Sequence, residues 1–211
     1  MKNRIAAILS GTSLLIAGLY TATVLHKGLR IDAVLLPRQV WIQDNTGLWT
    51  LGIWLWLAAL FGWMALLVTL MWSYLPGHRV SSMLQSGLIV IAAALGVAGL
   101  VIWMSAFPYI VKLEEAYVMM PFVDKIVLGL LGAGLFMGGA ATAWIGWDLA
   151  QEISLNWVWG APPLIAGLLA LPSPFVLPMP WLLAVAGLVW IGWSLFVATR
   201  REIPSAYAEY K

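Results

Sequence analysis

The chain alternates long apolar stretches with short polar connections, and this pattern predicts its architecture. About 20 apolar residues cross the hydrocarbon core of a bilayer as a helix. We therefore predict an all-α integral membrane protein, a single domain built as a bundle of about six transmembrane helices with interfacial segments on one side. The predicted spans are residues 5–25, 48–74, 83–107, 126–147, 157–171 and 181–199, followed by a tail at 200–211.

The fifth stretch is the shortest, and it leaves a second topology open. Pro162 and Pro163 lie in its first turns, and residues 171–180 contain four more prolines. Proline removes a backbone donor and interrupts a helix interior. In the alternative topology, five helices cross the membrane and residues 157–180 form a re-entrant segment.

Composition supports a membrane location and excludes several classes of function. The chain is 63% hydrophobic and only 9% charged, whereas soluble domains carry about 25% charged residues. Its formal charge of +2 and its scattered basic residues do not indicate nucleic-acid binding. The absence of cysteine excludes disulfides, thiolate metal sites and cysteine nucleophiles. The 14 tryptophans are expected mainly in belts at the two membrane interfaces.

Ionisable residues are missing from the predicted membrane interior. Spans two, three, five and six contain none, and the other spans carry them only at their ends. Such groups are costly in lipid and usually mark function, so we predict no catalytic residue and no metal site. His26 and His78 are weak candidates for single-histidine ligation of a pigment, but headgroup contacts are the favoured role. No cofactor is predicted, and bound lipid is expected.

Small residues dominate one segment, residues 129–143. At helical spacing they fall on two nearly opposite faces, and small residues allow membrane helices to approach closely. This pattern predicts that the fourth span packs between two neighbours at the centre of the bundle. The predicted packing residues are Gly129, Gly132, Ala133, Gly134, Gly138, Gly139, Ala140 and Thr142.

Asp148 and Glu152 are four residues apart and share a helix face if the fourth span continues. Like charges at this spacing repel, and anions are unfavourable at a helix C-terminus. We predict that these carboxylates form ion pairs with Arg79, Arg200 or Arg201 on the same side of the membrane. Two solvated carboxylates are the alternative.

An even number of spans places both termini on one side. Lys2, Arg4, Arg200 and Arg201 directly flank the first and last spans, so we predict cytoplasmic termini. The long connections 26–47, 108–125 and 172–180 then share the other side. Since loops usually carry binding functions, we predict a partner-binding face there, formed by Trp41, Lys112, Glu114, Glu115 and Tyr117.

The absence of buried chemistry and the abundance of close-packing surfaces favour a non-catalytic role. We expect an accessory or scaffold subunit of a larger membrane protein assembly, packed against partner helices and against lipid or an apolar cofactor. The expected partners are membrane lipid and other membrane protein subunits, and not nucleic acid. The alternative is a small transporter or channel for an uncharged or lipidic substrate, and a membrane enzyme ranks third.

Overall fold

The computed structural model describes residues 2–31, 35–75, 79–152, 157–176 and 181–200, without the side chains of Lys2, Arg79 and Val176. No strand occurs in these ranges, which confirms the all-α fold class. A short 3₁₀ turn, Leu25–Lys27, follows the first helix. The helices are α1 (Lys2–Thr23), α2 (Leu35–Asp44), α3 (Thr46–Tyr74), α4 (Arg79–Ile110), α5 (Ala116–Gln151), α6 (Trp157–Ala170), α7 (Ser173–Val176) and α8 (Trp181–Thr199).

Six helical segments in the described ranges are long and apolar enough to cross a membrane. The protein is therefore a multi-pass membrane protein. The fifth segment combines α6 with the short helix α7, which continues it past a turn at residues 171–172. The segments are Asn3–Thr23, Thr46–Tyr74, Val80–Ile110, Ala116–Gln151, Trp157–Phe175 and Trp181–Thr199.

Helices α4 and α5 extend further into the second connection than the sequence pattern predicts. The pattern predicts a separate amphipathic helix that ends before Pro121, yet α5 begins at Ala116 and continues through Pro121. Pro108 likewise lies inside α4, close to its end. A proline near a helix end disturbs little, because Pro121 leaves unpaired only the carbonyl of Tyr117 in the exposed first turn.

The spanning helices form a closed ring in chain order. Helix α1 packs on α3, α3 on α4, α4 on α5, α5 on α6, α6 on α8, and α8 returns to α1. Side chains also cross the interior, since the indole N–H of Trp63 on α3 donates to Thr142 Oγ1 on α5 at 3.1 Å. The short helix α2 contacts α3, α4 and α5 at one end of the ring.

The buried apolar side chains form two clusters, one toward each end of the bundle. The terminal cluster joins the start of α1 to the ends of α3, α5 and α8 and to α6. The connection cluster lies beneath α2, where α3, α4 and α5 meet. The terminal cluster includes Leu66, Leu70, Ile145, Trp159 and Trp193, and the connection cluster includes Leu25, Trp49, Trp103, Phe107 and Met120.

The tryptophans are divided between these clusters and the surface. Trp72 and Trp157 are exposed at helix ends, as expected of an interfacial belt. Others fill the interior, where a large ring provides packing area, and the N–H groups of Trp49, Trp103 and Trp190 find buried acceptors. The belt prediction is therefore wrong for the buried tryptophans, which are Trp49, Trp103, Trp159, Trp190 and Trp193.

Candidate polar sites at the two ends of the bundle

A buried ion pair joins α2 to α5 inside the connection cluster. Arg38 on α2 donates from Nη1 to Asp124 Oδ2 and from Nη2 to Asp124 Oδ1, the second at 2.9 Å. Each of the two residues is only 2% exposed. The two parallel hydrogen bonds match the planar guanidinium to the carboxylate, the geometry in which such pairs are strongest.

Neighbouring groups satisfy the remaining polar atoms of this pair. Arg38 Nε donates to the carbonyl oxygen of Gly28 at 2.6 Å, and Trp103 Nε1 donates to Asp124 Oδ1 at 3.1 Å. The guanidinium carbon of Arg38 lies 5.0 Å from the centre of the Phe107 ring, within range of a cation–π interaction. A buried ion pair is tolerated only when additional hydrogen bonds satisfy its polar groups, and here every side-chain nitrogen and oxygen atom of the pair has at least one partner.

Aromatic side chains pack around the ion pair and separate it from its surroundings. Trp49 stacks on Phe107 with ring centres 5.5 Å apart and meets Trp103 edge-on at 5.9 Å. Trp49 Nε1 also donates to the carbonyl of Trp103 at 3.0 Å, which fixes α3 against α4. Gly28 is needed for this fit, since a Cβ there would lie 2.6 Å from the Trp41 ring.

The Arg38–Asp124 pair departs from the sequence-based prediction, which treated both residues as charges in interfacial connections. Asp124 instead lies within α5, on the stripe that also contains the buried residues Ala116, Met120 and Val127. The sequence did contain one signal that Asp124 is buried: it is an aspartate at a position where the helical period demands an apolar residue. Its partner could not be read from the sequence, because Arg38 is 86 residues away.

Asp148 occupies a second buried polar site at the opposite end of α5. Its Oδ2 accepts hydrogen bonds from Ser81 Oγ at 2.9 Å and from Gln85 Nε2 at 2.6 Å. Gln85 is completely buried, and its Oε1 has no hydrogen-bond partner. Asp148 is thus held by two neutral donors from the start of α4.

The predicted ion pairs of Asp148 and Glu152 stay a prediction. Arg201 and the side chain of Arg79 lie outside the described residues. The guanidinium carbon of Arg200 lies 4.7 Å from the centre of the Phe196 ring, so this residue contacts its own helix. Glu152 is half-buried just after α5 ends.

The two aspartates bracket α5. They are 24 residues apart, about 36 Å along a helix axis. Each is bound by a side chain of α4, Asp124 by Trp103 and Asp148 by Gln85. The register of this antiparallel helix pair is therefore fixed at both ends.

The structure places the predicted small residues of α5 between two neighbouring helices. A Cβ on Gly134 would lie 3.1 Å from the carbonyl of Ala92 on α4, and Gly138 meets Trp63 and Ala92. A Cβ on Gly139 would lie 2.8 Å from the carbonyl of Gly167 on α6. Of the others, Gly132 and Thr142 are buried and Ala133 and Ala140 are half-buried.

Gly129 differs from the prediction. It is exposed, and no atom lies within 4 Å of the position that a Cβ would take. The tightest contacts of α5 lie in its C-terminal half, at Gly139 and Ala143 within the predicted segment and at Gly146 beyond it. A Cβ on Gly146 would lie 2.8 Å from the carbonyl of Gly160, and one on Gly167 would lie 2.8 Å from the Cα of Ala143.

Residues of the predicted partner-binding face are mostly exposed. Lys112, Glu114, Glu115 and Tyr117 lie on the surface around the α4–α5 turn. Trp41 is half-buried, and its ring packs against Gly28 rather than standing free.

The structure describes one of the two histidines. His26 is exposed on the 3₁₀ turn, and His78 lies outside the described residues. Within the ranges that the structure describes, no three His, Cys, Asp or Glu side chains group closely enough to hold a metal ion.

Comparisons of the chain with protein-family models, with curated proteins and with solved structures found no match.

Proposed function

We propose that the protein is a non-catalytic scaffold subunit of a larger membrane protein assembly. The proposal rests on the Arg38–Asp124 pair, in which every side-chain nitrogen and oxygen atom is bound by a group of the same chain. Both side chains are bound by groups of the same chain. Because each charge of the pair is bound by the other, the pair stabilises one arrangement of the helices. It leaves no unpaired charge to bind a substrate.

Backbone packing between α5 and α6 supports a rigid body. Glycines on both helices bring the two backbones into direct contact, so that even a methyl group at Gly146 would collide with Gly160. Transport by alternating access needs helices that move past one another. Such backbone contacts favour a rigid scaffold over a transporter whose helices move past one another.

The surface at the α4–α5 turn is our candidate for the partner-binding face. Lys112, Glu114 and Glu115 expose charges there, and Tyr117 is 65% exposed. Tyrosine is enriched at protein interfaces, and the rim around the buried centre of an interface is polar and solvent-accessible. The orientation belongs to the same proposal, with both termini in the cytoplasm, this face outside, and membrane lipid around the apolar surface.

Purification in a mild detergent tests the proposal. We expect other membrane subunits to co-purify in a fixed ratio, and the double variant Lys112→Glu/Tyr117→Ala to lose them. The control is Gln151→Glu, which changes the charge of an exposed residue at the opposite end of the bundle and should retain the partners. A chain that purifies alone from its native membrane contradicts the scaffold function.

One observation favours the transporter alternative. On α8, near its contact with the middle of α1, the indole N–H of Trp193 and the hydroxyl of Ser194 are buried and have no hydrogen-bond partner in the described part of the chain. Nearby, Trp190 Nε1 donates to Ser10 Oγ at 2.9 Å. Unpaired buried donors suit an uncharged polar solute. Flux of such a solute into proteoliposomes that contain the protein alone, abolished in Ser194→Ala, supports this function instead.

A further inference from the structure

The side-chain oxygen of Gln85 is a buried acceptor that has no hydrogen-bond partner among the described residues. Burying an amide oxygen in this way is unfavourable unless a donor or a cation meets it. Oε1 shares one amide carbon with Nε2, which binds Asp148 at 2.6 Å, so Oε1 belongs to the same amide group that contacts the carboxylate. The amide that carries the unsatisfied atom therefore adjoins a negative charge.

The three residues of this hydrogen-bonded group carry three kinds of oxygen. Asp148 supplies a carboxylate, Gln85 an amide carbonyl, and Ser81 a hydroxyl whose oxygen is 2.9 Å from Asp148 Oδ2. Carboxylate, carbonyl and hydroxyl oxygens are hard ligands, and they bind hard cations in preference to soft ones. The ligand set thus specifies the class of ion.

The charge of the site favours a monovalent cation. Asp148 contributes one negative charge in a location where it is only 8% exposed. A monovalent cation neutralises that charge, whereas a divalent ion leaves a net positive charge in a poorly solvated place, which is costly. Divalent Mg²⁺ and Ca²⁺ also require six or more oxygen ligands in most proteins.

The neighbouring helix ends do not neutralise the carboxylate by themselves. Ser81 and Gln85 lie in the first two turns of α4, and Asp148 lies in the last turn of α5. The positive end of one helix dipole therefore adjoins the negative end of the other, and their effects oppose each other. Asp148 is three residues from the end of α5, about 4.5 Å along the axis, so an ion reaches it without crossing the apolar interior.

We propose that Asp148, Gln85 and Ser81 bind a small monovalent cation, sodium in the first instance. The site lies at the end of the bundle that carries the start of α1 and the end of α8. This inference goes beyond the scaffold function and does not depend on it, since a bound cation would fasten α4 to α5 in either class of protein.

Thermal unfolding of the purified full chain tests the site. Sodium chloride replaces choline chloride at constant ionic strength, and we expect the unfolding midpoint to rise saturably by about 5 °C. The rise should disappear in Gln85→Met, which keeps the length of the side chain and removes its oxygen. Asp44→Asn, at an exposed carboxylate on α2, is the control and should respond like the wild type.

If Gln85→Met fails to fold, binding of radioactive sodium to the wild-type protein tests the proposal instead. About one saturable site per chain, displaced by unlabelled sodium, supports the proposal. No saturable binding, or an equal rise of the midpoint in wild type and Asp148→Asn, overturns it. If the side chain of Arg79 supplies the positive charge instead, the wild type shows no sodium dependence, and the proposal is equally overturned.

Discussion

At the scale of single residues, Arg38 and Asp124 explain how charge is tolerated inside an apolar bundle. Removing two charges from water is expensive, and their mutual attraction compensates only when their other hydrogen bonds are made. The carbonyl of Gly28 and the indole of Trp103 make those bonds. The pair therefore acts as a joint between α2 and α5, and each half depends on the other.

We expect Arg38→Met to destabilise the protein by about 3–5 kcal/mol, because it leaves Asp124 buried without a counter-charge. Arg38→Met/Asp124→Asn should be more stable than Arg38→Met alone, since it removes the unpaired charge and keeps an oxygen for Trp103. The measurement is the unfolding midpoint in detergent, with exposed Arg30→Met as the control. A double variant less stable than Arg38→Met would contradict this account.

Trp103→Phe should lower the free energy of unfolding by about 1.5–3 kcal/mol, the usual range for a hydrogen bond to a charged group. Any loss of ring packing would add to this value. The substitution removes the N–H that reaches Asp124 and retains an aromatic ring beside Trp49 and Phe107. Trp54→Phe, at a ring that is 57% exposed, makes the same chemical change without loss of a buried bond. Equal midpoints for the two variants would mean that the Trp103 hydrogen bond contributes nothing.

At the scale of helices, α5 organises the bundle. It contacts α4 along one side and α6 along another, and glycine permits the closest of these approaches. In lipid, helix association depends on such packing and on interhelical hydrogen bonds, because burial of apolar surface provides little driving force. Two buried aspartates then set the register of α5 against α4.

Two glycines of α5 provide a matched pair of substitutions. Gly146→Ala should destabilise the protein, because its Cβ would meet the backbone of α6 at Gly160 and Leu164. Gly129→Ala should be neutral or stabilising by up to about 1 kcal/mol, since alanine is the better helix former and the site is open. Unfolding midpoints that rise equally in both variants would show that helix propensity, and not interhelical contact, decides stability here.

At the scale of the whole molecule, the ring of spanning helices closes through α1 and α8. Trp190 on α8 binds Ser10 on α1, 180 residues apart, and Gly11 faces Ser194 across the same contact. This closure places the first and last spans side by side. The ends of the spans still have to be assigned to the two sides of the membrane.

Single cysteines in this cysteine-free chain test the topology. With a membrane-impermeant maleimide on intact cells, we expect Glu114→Cys to react, and Gln151→Cys and Lys211→Cys to react only after permeabilisation. Reaction of Lys211→Cys but not Gln151→Cys on intact cells indicates five crossings, with residues 157–180 re-entrant. Reaction of Gln151→Cys but not Glu114→Cys on intact cells reverses the orientation.

The sequence by itself determined the fold class, the number of long apolar helices and the small-residue character of α5. These features follow from local hydropathy and from helical spacing, which depend on residues close together in the chain. The bounds of α4 and α5 were harder to predict, because Pro108 and Pro121 resemble helix breakers until their place near the helix ends is known.

Only the tertiary structure decided which polar residues are buried and what they bind. Arg38 and Asp124 look like interfacial charges in sequence, Ser81 lies in a predicted connection, and Gln85 looks like an ordinary residue of the third span. Trp49 and Trp103 look like members of an interfacial belt. Their roles depend on contacts between residues 21 to 86 positions apart, and the cost of burying a charge is known only once its partners are known.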